Sequence, residues 1–154
     1  FVWYPGEEGG AAVADILFGK TSPSGRLPIT FPKSLDQLPP YEDYSMKGRT
    51  YKYMDLDPMY PFGFGLNYTK FEYSDVKAGK TTISKNETVK VQVTITNSGN
   101  VKSDEVVQMY ISDIEATITV PNFKLINTKR VTLVGGASQN IEFELNIQGG
   151  HSLC

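Results

Sequence analysis

Apolar and polar residues alternate through the second half of the chain. Between Val89 and Thr96, valine or isoleucine occupies every second position, and lysine, glutamine or threonine occupies the others. A period of two places the apolar side chains on one face of a half-buried strand. Similar patterns, separated by turn residues at 97–100 and 135–136, predict five strands at 71–76, 89–96, 106–111, 128–134 and 140–147.

Five short strands joined by turns predict a mostly β fold, a β-sandwich of the immunoglobulin or fibronectin type III kind. Sandwiches of this kind have about seven strands, and residues 149–154 carry no strand pattern. We therefore expect a truncated sandwich over 69–148 with an unpaired edge strand. Residues 149–154 are expected to form an atypical tail.

The first twenty residues follow a helical period instead. The apolar residues between positions 12 and 17 fall on one face of a helix predicted over 8–18, and Gly19 is placed to end it. Residues 1–4 (Phe-Val-Trp-Tyr) are typical of the tail of a buried strand. A single strand and helix cannot bury their own faces, so we interpret 1–33 as the end of an α/β sandwich domain whose sheet lies upstream.

Residues 20–68 are rich in loops and hold most of the prolines, between Pro23 and Pro61. A long irregular segment in a compact protein is usually functional or a linker. Its interleaved tyrosine and phenylalanine residues favour packing over a free linker. We interpret 34–68 as a strap that lies across another domain.

Composition narrows the function classes without choosing one. The net charge of −2 gives no basic surface for nucleic acid, and no apolar run approaches the roughly 20 residues of a membrane span. Cys154 is the only cysteine and His151 the only histidine, which excludes an internal disulfide, a Ser-His-Asp site and a histidine-based metal site. The FGFG run at 62–65 lacks the spacing of a dinucleotide-binding loop and is interpreted as a tight turn.

Five blocks, in order, carry a specific resemblance. They are WYPGEEGGAAVADILFGK at 3–20, SPSGRLPITFPKS at 22–34, DYSMKGRTYKY at 43–53, YPFGFGLNYTKFEYSDV at 60–76 and VQVTITNSGNVKSDEVVQMYISD at 91–113. Together they resemble the C-terminal part of glycoside hydrolase family 3, the β-glucosidase and β-xylosidase family, whose members often carry a fibronectin type III-like domain. The resemblance covers roughly residues 3–145.

The resemblance implies that the chain is a fragment of a retaining β-glycosidase. Such an enzyme hydrolyses terminal non-reducing β-D-glucosyl residues of oligosaccharides, with β-xylosides as the alternative substrate. Retaining glycosidases use two carboxylates about 5–5.5 Å apart. In the family the nucleophile lies in an N-terminal barrel and the acid/base upstream of the WYPG motif, so the resemblance transfers no catalytic residue, cofactor or metal to this sequence. The fragment is expected to be inactive and structural, with the upstream domains as its partners.

A few residues remain candidates for contact with sugar. Glu7 and Glu8 are neighbours on the predicted helix and do not face one another, so their expected role is at the helix N-terminus; the alternative for Glu8 is the rim of an active site. Arg26 is expected to pair with a carboxylate and pin its loop, with a sugar-hydroxyl contact as the alternative.

Arg49 with two nearby tyrosines, and separately Trp3, are the remaining residues for which the sequence suggests a role. Arg49, Tyr51 and Tyr53 are expected to dock one domain on another, and the alternative is a sugar-binding platform. Trp3 is expected in a core.

Two glycosylation sequons begin at Asn67 and Asn86. The resemblance favours a secreted or periplasmic parent, with its signal outside this sequence. A stand-alone carbohydrate-binding or adhesion module is the alternative from a different class, since a sandwich fold does not fix function. A purely structural linker is the third hypothesis.

Overall fold

A computed structural model describes residues 1–84 and 86–146, and five strands dominate it. These strands are β1 (Phe71–Ala78), β2 (Thr88–Asn97), β3 (Ser103–Ile111), β4 (Lys124–Leu133) and β5 (Ser138–Asn146). They form a three-stranded antiparallel sheet in the order β1-β2-β5 and a two-stranded antiparallel sheet of β3 and β4. The mostly β prediction is confirmed, and neither sheet is closed.

The core lies between the two sheets and is built by the predicted alternation. On β2, Val89, Val93 and Ile95 are buried, while Lys90 and Gln92 face solvent. The other sheet and β5 contribute the remaining buried apolar side chains, which are Val107, Val131, Leu133, Ile141 and Phe143. Each predicted strand is present, with bounds that differ by up to four residues; position 147 lies outside the described residues.

The N-terminal segment contains the predicted helix but lacks the predicted strand. Helix α1 spans Gly9–Leu17, and Gly19 follows it with a φ of +75°, as expected for a glycine that ends a helix. Residues 1–4 do not form a strand, and Trp3 is 54% exposed rather than in a core. The physical reason is that a strand needs a neighbouring strand to pair with, and the described residues place none beside 1–4.

The strap is more ordered than a run of loops. It holds a 3-10 turn at Leu35–Gln37 and a short helix α2 at Thr50–Tyr53. An antiparallel bridge joins Tyr60 of the strap to Phe31, which precedes the strap in sequence. As expected, 62–65 is a turn, in which the Phe64 N–H donates to the carbonyl of Pro61 and Gly63 has a φ of +81°.

Aromatic side chains fix the strap on the β3–β4 sheet. The Tyr51 ring stacks on Phe62 with centroids 4.1 Å apart, and both rings contact Tyr110 on β3 edge-on. Phe123 closes the cluster against Tyr51 and Tyr110. Such pairs add about 0.5–1.5 kcal/mol each beyond the area they bury, so the strap is an integral part of this fold.

Candidate functional site

A buried ion pair connects the N-terminal third of the chain to the sandwich. The Nη2 atom of Arg26 lies 2.5 Å from each carboxylate oxygen of Glu105. The two side chains are 21% and 5% exposed. Glu105 follows the inward register of β3, between the buried residues Ser103 and Val107, so its charge is held in the interior and requires its partner. The prediction that Arg26 pairs with a carboxylate is confirmed.

Tyr73 on β1 completes this network from the opposite sheet. Its hydroxyl donates a 2.5 Å hydrogen bond to Oε1 of Glu105. Beside the three side chains lies a cavity of about 260 Å³, and its other walls are Gly63, Val106, Gln108 and Tyr110. The cavity therefore lies between the loop containing Arg26, the strap, β1 and β3.

The chemistry available in this cavity is binding rather than acid/base catalysis. Glu105 is the only carboxylate that lines it, and both of its oxygens accept hydrogen bonds already. A retaining glycosidase needs two carboxylates that face the scissile bond. Among the described residues this site provides one, which is neutralised by Arg26.

Burial raises the pKa of the Tyr73 hydroxyl well above its usual value, and the hydrogen bond to the charged Glu105 raises it further. Because the folded-state pKa is raised, Tyr73 contributes stability that is complete below about pH 10, the pKa of an unfolded tyrosine. That stability is lost as the pH rises through the folded-state pKa. We expect Tyr73→Phe to flatten the loss of unfolding free energy above pH 10. Urea unfolding at a series of pH values measures this, and the same slope in both proteins would contradict it.

Gly63 allows the strap to approach β3 closely. A Cβ atom at this position would lie 2.5 Å from Oε1 of Gln108 and 2.7 Å from the hydroxyl oxygen of Tyr110. Its φ of +81° also disfavours a side chain. We expect Gly63→Ala to lower the free energy of unfolding by about 2–3 kcal/mol, from backbone strain and the contact together.

Gly48 is the matched control for Gly63. It has a φ of +72°, but a Cβ atom there would meet nothing within 4 Å. Gly48→Ala therefore reports the backbone cost alone, about 1 kcal/mol. Thermal unfolding compares the two variants, and equal losses would show that the approach to Gln108 and Tyr110 is unimportant.

Arg49 organises its own loop instead of presenting its guanidinium to solvent. Nε donates to the carbonyl of Ser45 at 3.0 Å, and Nη2 donates to the carbonyl of Asp43. Tyr51 is engaged in the aromatic cluster, and its hydroxyl accepts from the Leu125 N–H at 3.3 Å. Tyr51 therefore docks the strap on β3, whereas Arg49 orders the loop before α2. Tyr53 is half-buried in α2.

The remaining candidates do not come together at one site. Glu8 is the N-cap residue of α1 and Glu7 lies in the turn before it, so both stand at the helix N-terminus as expected, and both are exposed. His151 and Cys154 lie outside the described residues.

The two sequons differ in environment. The Asn67 side chain accepts from the Ser22 hydroxyl at 2.8 Å and donates to the Asp104 carbonyl at 3.1 Å, so its amide is engaged in the junction between strap and sandwich. Asn86 has a φ of +68° in the turn before β2. The Asn67 sequon is thus structural in this fold.

Sequence reasoning missed Glu105, Tyr73 and Asn97. Asn97 is fully buried at the end of β2, and its side chain accepts two hydrogen bonds and donates two. A signal was present for Glu105, because a charged residue occupies an inward position of an alternating strand. The partner of such a residue lies far away in sequence, 79 positions for Arg26, so the pair itself could not be seen.

The described part of the chain contains no group of three histidine, cysteine, aspartate or glutamate residues placed to hold a metal ion. None of its helices has the length and apolar character that crossing a bilayer requires.

Comparison with known proteins agrees with this organisation. Residues 1–68 match the family model of the glycosyl hydrolase family 3 C-terminal domain. Residues 105–148 match that of the fibronectin type III-like domain. The chain belongs to glycoside hydrolase family 3.

The relatives of this family 3 chain are much longer than the chain itself. A xylan 1,4-beta-xylosidase of Xylanibacter ruminicola is 50% identical over 113 residues, which are 73% of the chain and 13% of that protein. A periplasmic beta-glucosidase of Salmonella typhimurium is 38% identical over 158 residues, 95% of the chain and 21% of that protein. The chain thus spans about a fifth or less of these relatives.

A solved structure extends the likeness to three dimensions. The β-glucosidase of Erythrobacter marinus matches with a TM-score of 0.80 and 40% sequence identity, over 94% of the family 3 chain and 19% of that structure. Fold and family are as the sequence resemblance implied. The two matched domains meet at the cavity, because Arg26 lies in the family 3 C-terminal domain and Glu105 in the fibronectin type III-like domain.

Proposed function

We propose that this chain is a non-catalytic, bracing part of a retaining β-glycosidase that hydrolyses terminal non-reducing β-D-glucosyl residues of oligosaccharides, with β-xylosides as the alternative substrate. Residues 1–33 would complete an α/β sandwich domain, 34–68 would form the strap, and 69–148 the fibronectin type III-like domain. The domains upstream of the chain would supply the catalytic carboxylates.

The Arg26–Glu105 ion pair is the observation that carries this proposal. It joins a loop of the family 3 C-terminal domain to a strand of the sandwich, and breaking such a buried pair is costly. The aromatic cluster around Tyr51 reinforces the same junction. A junction of this kind holds one domain at a fixed position on another, as an enzyme with a site between upstream domains requires.

Exposed apolar side chains near the start of the chain support the proposal that another domain packs there. Phe1, Tyr4, Leu17 and Phe18 are 74%, 99%, 74% and 89% exposed. Large apolar side chains left exposed in this way are typical of a segment that packs against another domain. We propose that this surface packs on the rest of the α/β sandwich domain.

Hydrolysis assays test the proposal directly. We expect the 154-residue chain alone to release no product from aryl β-glucosides or aryl β-xylosides, and the full open reading frame that encodes it to hydrolyse at least one of them. Hydrolysis by the chain alone would contradict the bracing role. A full-length product inactive on both substrates would contradict the assignment of activity.

A carbohydrate-binding module is the second candidate, because Tyr41 and Tyr44 are each 89% exposed in the loop that Arg49 organises. Exposed aromatic rings suit stacking on sugar faces. Affinity of the isolated chain for an insoluble glucan, lost in Tyr41→Ala and Tyr44→Ala, would favour this candidate over bracing alone.

A further inference from the structure

The cavity beside the Arg26–Glu105 ion pair has a polar lining without net charge. Among the described residues that line it, Arg26 is the only cation and Glu105 the only anion, and the two neutralise each other at 2.5 Å. A charged ligand would lose hydration there without gaining a free counter-charge. The lining therefore favours a neutral polar molecule.

A hydrogen-bond donor and an acceptor stand close together in this lining. The Tyr110 hydroxyl donates to Oε1 of Gln108 at 3.0 Å, which leaves the lone pairs of the Tyr110 oxygen as acceptors. The Nε2 group of Gln108 makes no hydrogen bond within the part of the chain that the structure describes. An alcohol group both donates and accepts, so the hydroxyls of a ligand can accept from Gln108 and donate to Tyr110.

Gly63 leaves the space in front of these two groups open. A Cβ atom at position 63 would lie 2.5 Å from Oε1 of Gln108 and 2.7 Å from the hydroxyl oxygen of Tyr110, so any side chain there would take the place of a ligand. Tyr73 and Tyr110 also line the cavity. A tyrosine ring is an apolar body with a polar tip, which suits a ligand that carries both C–H groups and hydroxyls.

The volume of the cavity limits the size of its ligand. At about 260 Å³, it is smaller than the sites of roughly 300–1,000 Å³ that take drug-sized ligands. The space suits one small ring with its hydroxyls and excludes an oligosaccharide. A neutral ring that carries hydroxyls and C–H faces is a pyranose monosaccharide.

We propose that this cavity binds a single neutral pyranose monosaccharide at the junction of the family 3 C-terminal domain and the fibronectin type III-like domain. Hydroxyls of the sugar accept from Nε2 of Gln108 and donate to the Tyr110 oxygen, and its C–H groups pack on the tyrosine rings. The sugar touches the strap at Gly63 and the sandwich at Gln108 together. It therefore stabilises the junction, as a ligand that binds only the folded state does.

The proposal rests on the proposed function only for the source of the sugar, since hydrolysis of a β-glucoside or β-xyloside releases glucose or xylose. Binding itself is measured on the 154-residue chain without any hydrolysis. A chain that binds neither sugar would overturn this proposal and leave the bracing role standing. A full-length product inactive on both substrates would contradict the proposed function and leave the binding result standing.

NMR titration of the ¹⁵N-labelled 154-residue chain with D-glucose and with D-xylose tests the proposal. We expect at least one sugar to shift the backbone amides of Gly63 and Val106 and the side-chain amide of Gln108, with saturation at a Kd of about 1–10 mM. The amide of Asn140, on β5 and outside the cavity lining, should not move. Shifts that do not saturate, or shifts of equal size at Asn140, would overturn the proposal.

Two variants test the contacts that the proposal assigns. Gln108→Met keeps the length of the side chain and removes its amide, and Tyr110→Phe keeps the ring and removes its hydroxyl. Each should weaken binding by about tenfold or more, and the second decides the matter if circular dichroism shows that the first does not fold. Gln139→Met changes an exposed glutamine on β5 and should leave the affinity unchanged. Unchanged affinity in folded Gln108→Met and Tyr110→Phe would overturn the assigned site.

Two further ligands test the class of molecule. Sorbitol is an open-chain polyol without a ring, and D-glucuronate is a pyranose with a negative charge. Both should bind at least about tenfold more weakly than the better of the two neutral sugars. Equal affinity for sorbitol would overturn the assignment of a pyranose, and equal affinity for glucuronate would overturn the assignment of a neutral ligand.

Discussion

Arg26→Ala is expected to lower the free energy of unfolding by about 3–5 kcal/mol, the range for breaking a buried ion pair. The change leaves the Glu105 carboxylate, 5% exposed, with the Tyr73 hydroxyl as its remaining partner. A buried charge without its counter-charge pays the full cost of leaving water. Urea unfolding of the chain and the variant, followed by circular dichroism, measures the difference.

Two further variants serve as controls for the Arg26→Ala result. Lys20 pairs with Asp15 at 3.1 Å on the surface, with side chains 74% and 40% exposed, and Lys20→Ala should cost about 0–1 kcal/mol because solvent screens such a pair. The double variant Arg26→Met/Glu105→Leu should recover most of the loss, since apolar residues of similar volume replace both charges. A loss in Arg26→Ala no larger than that in Lys20→Ala would contradict a buried, structural pair.

The strands could be predicted from sequence because their signal is local. The alternation from Val89 to Thr96 specifies both a strand and its buried face, and the structure buries Val93 and Ile95 accordingly. The strap could be predicted to pack, from its aromatic content, but not where. Contacts such as Tyr51 with Tyr110 join residues 59 positions apart, and no periodicity encodes them.

The candidate site was visible only in part for the same reason. The expectation for Arg26 named the kind of partner, a carboxylate, but not Glu105 itself. The strand predicted at 1–4 failed for a different reason: its local pattern is apolar, but pairing depends on a neighbouring strand that the described residues do not provide. Local sequence thus predicts which residues are suited to burial. Contacts with residues that are distant in sequence determine whether those residues are buried.

The position of the polar groups explains how the junction gains specificity. Apolar packing alone would tolerate small shifts of the strap along β3, because dispersion contacts are not directional. The Arg26–Glu105 pair and the hydrogen bond from Asn67 to the Asp104 carbonyl each require one register. They fix the loop containing Arg26 and the end of the strap on successive residues of β3.

Asn97→Ala is expected to have an effect of similar size, about 3–5 kcal/mol, for a reason that involves no charge. Asn97 is 0% exposed. Its Oδ1 accepts from the Thr69 hydroxyl at 2.6 Å and from the Gly99 N–H at 3.2 Å. Its Nδ2 donates to the carbonyls of Val101 and Leu133 at 2.8 and 3.0 Å. Alanine leaves these groups without partners, and each buried unsatisfied group costs about 1–3 kcal/mol.

Asn140 on β5 is the matched control for Asn97, because it is an exposed asparagine in the same sheet. Asn140→Ala should change the free energy of unfolding by no more than about 0.5 kcal/mol. Asn97→Asp separates the two halves of the network, since a carboxylate keeps the acceptor for Thr69 but loses both donors and brings a charge into the core. We expect Asn97→Asp to be at least as destabilising as Asn97→Ala at pH 7 and to recover stability as the pH falls and the carboxyl protonates. Comparable, small losses at Asn97 and Asn140 in urea unfolding would mean that water replaces the lost side chain, and that the loops at 97–101 and 133–137 do not depend on Asn97 to stay joined.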